Sequence, residues 1–199
     1  MAKIHPCIPS SSSSSSFCSN EKQTYTIWMK SLVLNSNGYT VYDSDGDIVF
    51  RIDNYDRKCS NEVYLMDLRG NVVCTMLRKK LLRFGFWDCY NDKDSSKPWF
   101  EVGKSCNFFK NDSIYNVLVL ATNEAQSLSW KHIMEGSFDS LDFKIKDGEG
   151  RVEAEVQRKR SSSGVVLGED VLLVTIEPNV DHIFVMALVA IHALIHRKM

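Results

Sequence analysis

Between about residue 24 and residue 177, apolar positions recur at every second residue in short runs rich in Val, Ile, Phe and Tyr. Gly, Asp, Asn and Ser separate the runs, and a period of two bounded by turn residues predicts antiparallel sheet. The clearest stretch is Leu141–Lys146, then Asp147-Gly148-Glu149-Gly150, then Arg151–Gln157, which alternates on both sides of the turn and reads as a hairpin. A four-residue turn there sets Lys144 opposite Glu153 on the solvent face and Phe143 opposite Ala154 on the core face. The same D-x-x-G turn recurs in Asp43-Ser44-Asp45-Gly46 and Asp67-Leu68-Arg69-Gly70, 24 residues apart. In such a turn the Asp carboxylate accepts backbone N–H groups, and the Gly supplies the positive φ that closes a type I turn with a bulge. Reading the runs in this way predicts twelve strands, near 24–34, 39–43, 47–52, 62–67, 72–78, 85–91, 98–103, 114–121, 129–136, 140–146, 151–158 and 170–177. Residues 79–83 could form a helical turn.

The pattern changes at the C-terminal end, where twelve of the thirteen residues from Ile183 to Ile195 are apolar and His192 is the only interruption. At 1.5 Å per residue such a run reaches about 20 Å, short of a bilayer's roughly 30 Å core, so it reads as a buried helix and not as a membrane span. Asp181 is a suitable N-cap, Val180 and Val185 can staple across it, and His196, Arg197 and Lys198 favour the C-terminal end. The predicted helix runs from about His182 to His196. A helix that is apolar all round must be covered on every side, and only sheet is available to cover it. Eleven or so strands enclose a helix 10–12 Å wide. The expected fold is therefore mainly β: a closed antiparallel barrel of about twelve strands around a central apolar C-terminal α-helix.

Composition narrows the function classes. The 199 residues carry 24 Lys+Arg against 25 Asp+Glu, with 44% hydrophobic and 25% charged residues, the proportions of one ordinary globular domain. A net charge of −1 argues against a nucleic-acid binder, which needs a strong positive field. Seven consecutive serines, Ser10–Ser16, cannot offset the entropy of ordering them, so residues 1–21 are expected to be a mobile tail and 22–199 a single domain. The six Cys form no C-x-x-C pair and follow no secretory h-region, which predicts reduced thiols and a cytoplasmic chain, with nuclear entry left open.

Local motifs do not assemble a catalytic centre. Gly103-Lys104-Ser105 imitates the end of a phosphate loop, but the first glycine that such a loop needs is Pro98. The Asp43–Asp47 stretch fails the calcium-loop pattern, with Ile48 and Asn54 where Gly and Glu belong. His192 and His196 stand at i and i+4 as zinc ligands can, yet on an apolar helix they read better as a satisfied core His and a C-terminal capping His. Cys74 and Cys89 read as small buried hydrophobes. No metal or cofactor is expected. Two basic clusters remain, Arg78-Lys79-Lys80 with Arg83, and Arg158-Lys159-Arg160, both at predicted strand ends. They are either solvated runs or a site for anionic headgroups.

Three segments resemble the plant LURP-one-related proteins: Val41–Arg51 with its turn, Trp130-Lys131-His132-Ile133-Met134-Glu135-Gly136-Ser137-Phe138, and Gly168-Glu169-Asp170 through Pro178-Asn179-Val180-Asp181. The resemblance covers about Tyr25 to His196. It implies the tubby C-terminal-like fold, a twelve-stranded barrel threaded by an apolar helix and shared with phospholipid scramblases, and a role linked to pathogen defence. Tubby domains bind phosphoinositides through basic side chains. That makes Arg78, Lys79, Lys80, Arg83, Arg158, Lys159 and Arg160 the candidate site by charge. The expectation is a monomeric, non-enzymatic module, peripheral to membrane and bound to anionic lipid or to a signalling protein. The alternatives are a protein-interaction scaffold without lipid affinity and a scramblase-like activity. The chain lacks the Pro-rich arm and the acidic calcium segment of scramblases.

Overall fold

The computed structural model describes residues 17–30, 37–54, 61–79, 86–91, 97–105, 112–120, 132–137, 140–161, 163–164, 166–168 and 170–196. Among these residues twelve strands precede one helix. They are β1 (Gln23–Trp28), β2 (Asn37–Tyr42), β3 (Ile48–Asn54), β4 (Glu62–Asp67), β5 (Val72–Arg78), β6 (Trp87–Tyr90), β7 (Phe100–Lys104), β8 (Asp112–Val119), β9 (His132–Ser137), β10 (Phe143–Asp147), β11 (Val152–Arg158) and β12 (Val171–Ile176), followed by α1 (His182–Ile195). Each strand pairs antiparallel with its neighbours in sequence, and β1 pairs with β12 to close the barrel. Closure leaves no strand edge to template another chain.

The helix is the core of this barrel. All residues from His182 to Ala193 are buried, and Val185–Leu188 have no exposed surface. Around them the inward residues of the strands are Ile27, Val41, Ile52, Leu65, Met76, Val102, Val117, Met134, Ile145, Val156 and Val174, all buried. Asp181 caps the helix by accepting the Phe184 N–H at 3.1 Å, which satisfies one of the donors that a first turn leaves open.

The three D-x-x-G turns share one geometry. In each, the Asp Oδ1 accepts two backbone N–H groups, two and four residues on, at 2.8–3.0 Å: Asp45 and Asp47 for Asp43, Arg69 and Asn71 for Asp67, Glu149 and Arg151 for Asp147. Gly46, Gly70 and Gly150 take φ of 87°, 81° and 84°, as the turn requires. Beyond each turn the register slips by one residue, leaving Val49, Val73 and Glu153 as bulge residues.

That bulge corrects the expected hairpin register. Phe143 lies opposite Val156, Lys144 opposite Glu155 and Ile145 opposite Ala154, not Phe143 opposite Ala154 and Lys144 opposite Glu153. Asp147 itself closes the turn through its N–H to the Arg151 carbonyl, and the bulge absorbs one more residue, so the pairing moves by two. A second correction concerns the N-terminal tail. Phe17 packs on Phe50 with ring centroids 5.6 Å apart, its carbonyl accepts the His182 N–H, and the Ser19 carbonyl accepts that of Asn179. Residues 17–21 are thus part of the folded domain, and the expected tail over 1–16 lies outside the described residues.

Candidate functional site

Strand parity decides where the charged residues collect. The helix enters the barrel where β12 ends, so the turns after β2, β4 and β10 surround its N-terminus, and the ends of β1, β5, β7 and β11 surround its C-terminus. The entry end carries Asp43, Asp45, Asp47, Asp67, Asp147, Glu149, Glu177 and Asp181 among its described residues, with Arg69 and Arg151. The exit end carries Lys30, Arg78, Lys79, Lys104, Arg158, Lys159 and Arg160 together with Asp53, Glu62, Asp88, Asp142 and Asp170, so it is mixed in charge, and Lys30 is paired with Asp170 at 3.3 Å. The acidic entry end complements the positive N-terminal end of the helix dipole.

The two sequence clusters therefore share one end of the barrel, but their members differ in availability. Lys79 is committed, its Nζ standing 2.9 Å from both Asp88 Oδ1 and Glu101 Oε1. Burial pushes the Asp88 carboxyl up, Lys79 pulls it back, and the two carboxylates raise the pKa of Lys79 against its own desolvation. Arg78 is exposed beside it. Lys80 and Arg83, and the helical turn expected there, lie outside the described residues. In the second cluster, successive residues of an extended chain point to opposite sides. Lys159 donates to Thr26 Oγ1 at 2.9 Å and lines a depression with Tyr42 and Asp43, whereas Arg158 and Arg160 line a separate groove with Lys144 and Lys146. Arg160 donates weakly to the Gly164 carbonyl at 3.3 Å.

The discarded motifs have structural roles. Gly103 lies against Phe86, where a Cβ would meet the ring at 2.4 Å, so this glycine is a packing requirement. Cys74 and Cys89 are buried, and burial pushes the Cys89 thiol up, with Cys74 beside it adding to the shift. His192 departs from expectation. It is buried, but neither ring nitrogen has a hydrogen-bond partner among the described residues; its ring stacks on Phe143 at 4.1 Å and faces His196 at 4.3 Å. Aromatic stacking, and not a hydrogen bond, holds it in place. Burial drives its pKa down to about 3, with His196 lowering it further.

The sequence reading missed a polar pair at the entry end. The bulge residue Glu153 accepts from His132 Nδ1 at 2.7 Å, and the His132 ring lies 4.9 Å from Phe184. The equivalent bulge residues Val49 and Val73 pack against the core instead. Twenty-one residues separate the partners, and nothing in the local pattern around either one signals the contact.

The family model described as LURP-one-related matches residues 23–193, nearly the whole barrel and helix. The chain belongs to the LURP-one-related family. Protein LURP-one-related 4 of Arabidopsis thaliana is 43% identical over 195 residues, which cover 98% of this chain and 87% of that protein. Protein LURP-one-related 11 of the same plant is 38% identical over 212 residues, covering 98% and 89%. The X-ray structure of a protein from Arabidopsis thaliana superposes with a TM-score of 0.64 at 18% identity, covering 91% of this chain and 95% of that one, a likeness of fold. No described helix is long and apolar enough to cross a membrane.

Proposed function

We propose that this LURP-one-related chain is a non-enzymatic binding module that docks the helix-exit end of its barrel on an anionic membrane surface. The observation that carries the reading is the exposure of Arg78, Lys104 and Arg160 at that end, although the chain's net charge is −1 and the same end also holds acidic side chains. Near an anionic leaflet each such cation contributes about 1 kcal/mol, so several together make a reversible tether. The non-enzymatic part is supported by the helix, which occupies the barrel interior where a substrate chamber would otherwise lie. A connection with pathogen defence belongs to the same proposal and rests on the family resemblance.

Flotation with phosphatidylcholine vesicles, with and without phosphatidylserine, tests it. The chain should float only with the anionic vesicles and lose binding as salt approaches about 1 M, where screening acts within roughly 3 Å. Arg78→Glu combined with Arg160→Glu, both on exposed side chains, should weaken flotation and leave the melting temperature nearly unchanged. Absence of binding to anionic vesicles would replace this reading with a protein-interaction scaffold.

A further inference from the structure

At the helix-exit end, β11 and β12 are joined by a hairpin tip whose Ser163, Gly164 and Leu167 are exposed. Leu167 donates its N–H to the Lys159 carbonyl at 2.9 Å, Arg160 pairs with Val166, and the Gly164 N–H closes the turn on the Ser161 carbonyl at 2.9 Å. The Ser163 Oγ lies 2.8 Å from the Ser161 Oγ. Arg160 is exposed as well, and its guanidinium reaches the Gly164 carbonyl at 3.3 Å, which sets it one residue from Ser163. Arg158 faces the same side as Arg160, since the two line one groove from an extended chain. An exposed hydroxyl thus stands three residues after one arginine and five after another. The spacing R-x-R-x-x-S occurs once in the sequence, at Arg158, Arg160 and Ser163.

We infer that Ser163 is the acceptor of an arginine-directed serine kinase, and that its phosphate captures Arg160 and withdraws it from the membrane. The withdrawal rests on the docking reading; the modification site does not. In the transfer the Ser163 O–H bond breaks, Oγ bonds the γ-phosphorus of ATP, ADP leaves, and the proton passes to the kinase's catalytic carboxylate. Kinases select substrates by charge pattern, and carboxylates of a peptide groove read guanidinium groups at fixed distances from the acceptor. Ser161 fits that pattern less well: Arg158 precedes it by three residues, but Val156 holds the place of the second arginine, and Ser161 is only half-exposed. The serines of 10–16 follow no arginine at all. A phosphate on Ser163 would bring about 1.5 to 2 negative charges beside a guanidinium whose described acceptor is a carbonyl at 3.3 Å. Phosphate oxygens match the guanidinium fork better than one carbonyl does. The added charge offsets about two of the cations that the exit end presents to a membrane.

The full chain is incubated with magnesium ATP and a purified serine kinase that requires arginine three and five residues before its acceptor, and the intact mass is followed. One phosphoryl group per chain should appear, map to Ser163 and be lost in Ser163→Ala. Arg160→Gln should slow its incorporation about tenfold, the loss expected of one charge-assisted contact with the kinase. Both substitutions fall on exposed side chains, so unchanged melting temperatures establish that the variants are folded. No incorporation, or incorporation that persists in Ser163→Ala, overturns the site. Capture by Arg160 is read without membranes, by phosphorus NMR across pH. A neighbouring guanidinium favours the dianion, so the second phosphate pKa should fall below its ordinary value of about 6, and an unshifted value overturns the capture. Flotation with phosphatidylserine vesicles then compares the two forms of the chain. Phosphorylation should weaken binding about tenfold or more, and equal binding overturns the withdrawal. If neither form floats, the docking reading and the withdrawal fall together, while the mapped phosphate and its pKa keep the modification site.

Discussion

At His192 a polar ring is held inside an apolar barrel by stacking on Phe143 and His196, and protonating it would bury an unpaired charge. Its folded pKa of about 3 lies below the unfolded value near 6.5, so the unfolded chain binds the proton more readily between those values. The neutral ring's contribution is therefore fully present above about pH 6.5 and is lost as pH falls toward 3. The shift corresponds to roughly 5 kcal/mol at most. Urea unfolding from neutral to acid pH should show a steeper loss for the wild type than for His192→Leu, and parallel curves would contradict the assignment. His182, lowered by burial, acts in the same direction, so His192→Leu flattens the curve only in part. Lys79 makes the opposite case among the charged residues. Lys79→Ala leaves Asp88 and Glu101 facing each other without a cation and should cost about 1 kcal/mol in denaturant titration. Its exposed neighbour, changed by Arg78→Ala, should cost almost nothing.

At the scale of elements, the repeated turn is a hydrogen-bonded unit, not merely a flexible connection. Asp67 accepts from the N–H groups of Arg69 and Asn71 and from the Asn71 side chain, so Asp67→Ala should lower stability by about 1–2 kcal/mol. Gly70→Ala forces a Cβ into a left-handed backbone at φ 81° and should cost about 1 kcal/mol, with open space around it and hence no added clash. The N-terminal segment is a second element with a definable contribution. Removing residues 1–16 should leave the melting temperature unchanged. Removing 1–22 should lower it measurably, because Phe17 leaves Phe50, two backbone bonds to the helix entry are lost, and Lys22 leaves Glu177. Equal melting of the two truncations would show that the segment contributes nothing.

For the whole molecule, the helix and the sheet each supply the surface that the other must bury. Deleting residues 181–199 should abolish soluble folded protein, since the inward side chains of twelve strands would face an empty lumen. A soluble, cooperatively melting truncation would refute the central helix as the core. Within it, Leu188→Ala leaves a cavity at a site with no exposure and should cost about 2–5 kcal/mol. The threaded helix also gives the barrel two unlike ends, and substitution of the exposed cations at the exit end should change membrane binding before it changes stability.

Chain order and periodicity determined a large part of this structure. β4 and β5 occur at the bounds read from alternation, and the helix ends within a residue of its expected limit. Such features depend on neighbours a few residues away, and every residue of the 182–193 run being apolar or tolerated in the core left only enclosure as an outcome. What the tertiary structure decided is non-local. A single bulge after each turn shifted the hairpin register and turned Glu153 from the solvent face to His132, because alternation records facing and does not count bulges. Charge density in sequence made Lys79 and Arg158 equivalent candidates. Folding set Asp88 and Glu101 around Lys79 and brought Lys144 and Lys146 of β10 beside Arg158, and those partners come from strands whose proximity exists only once the barrel has closed.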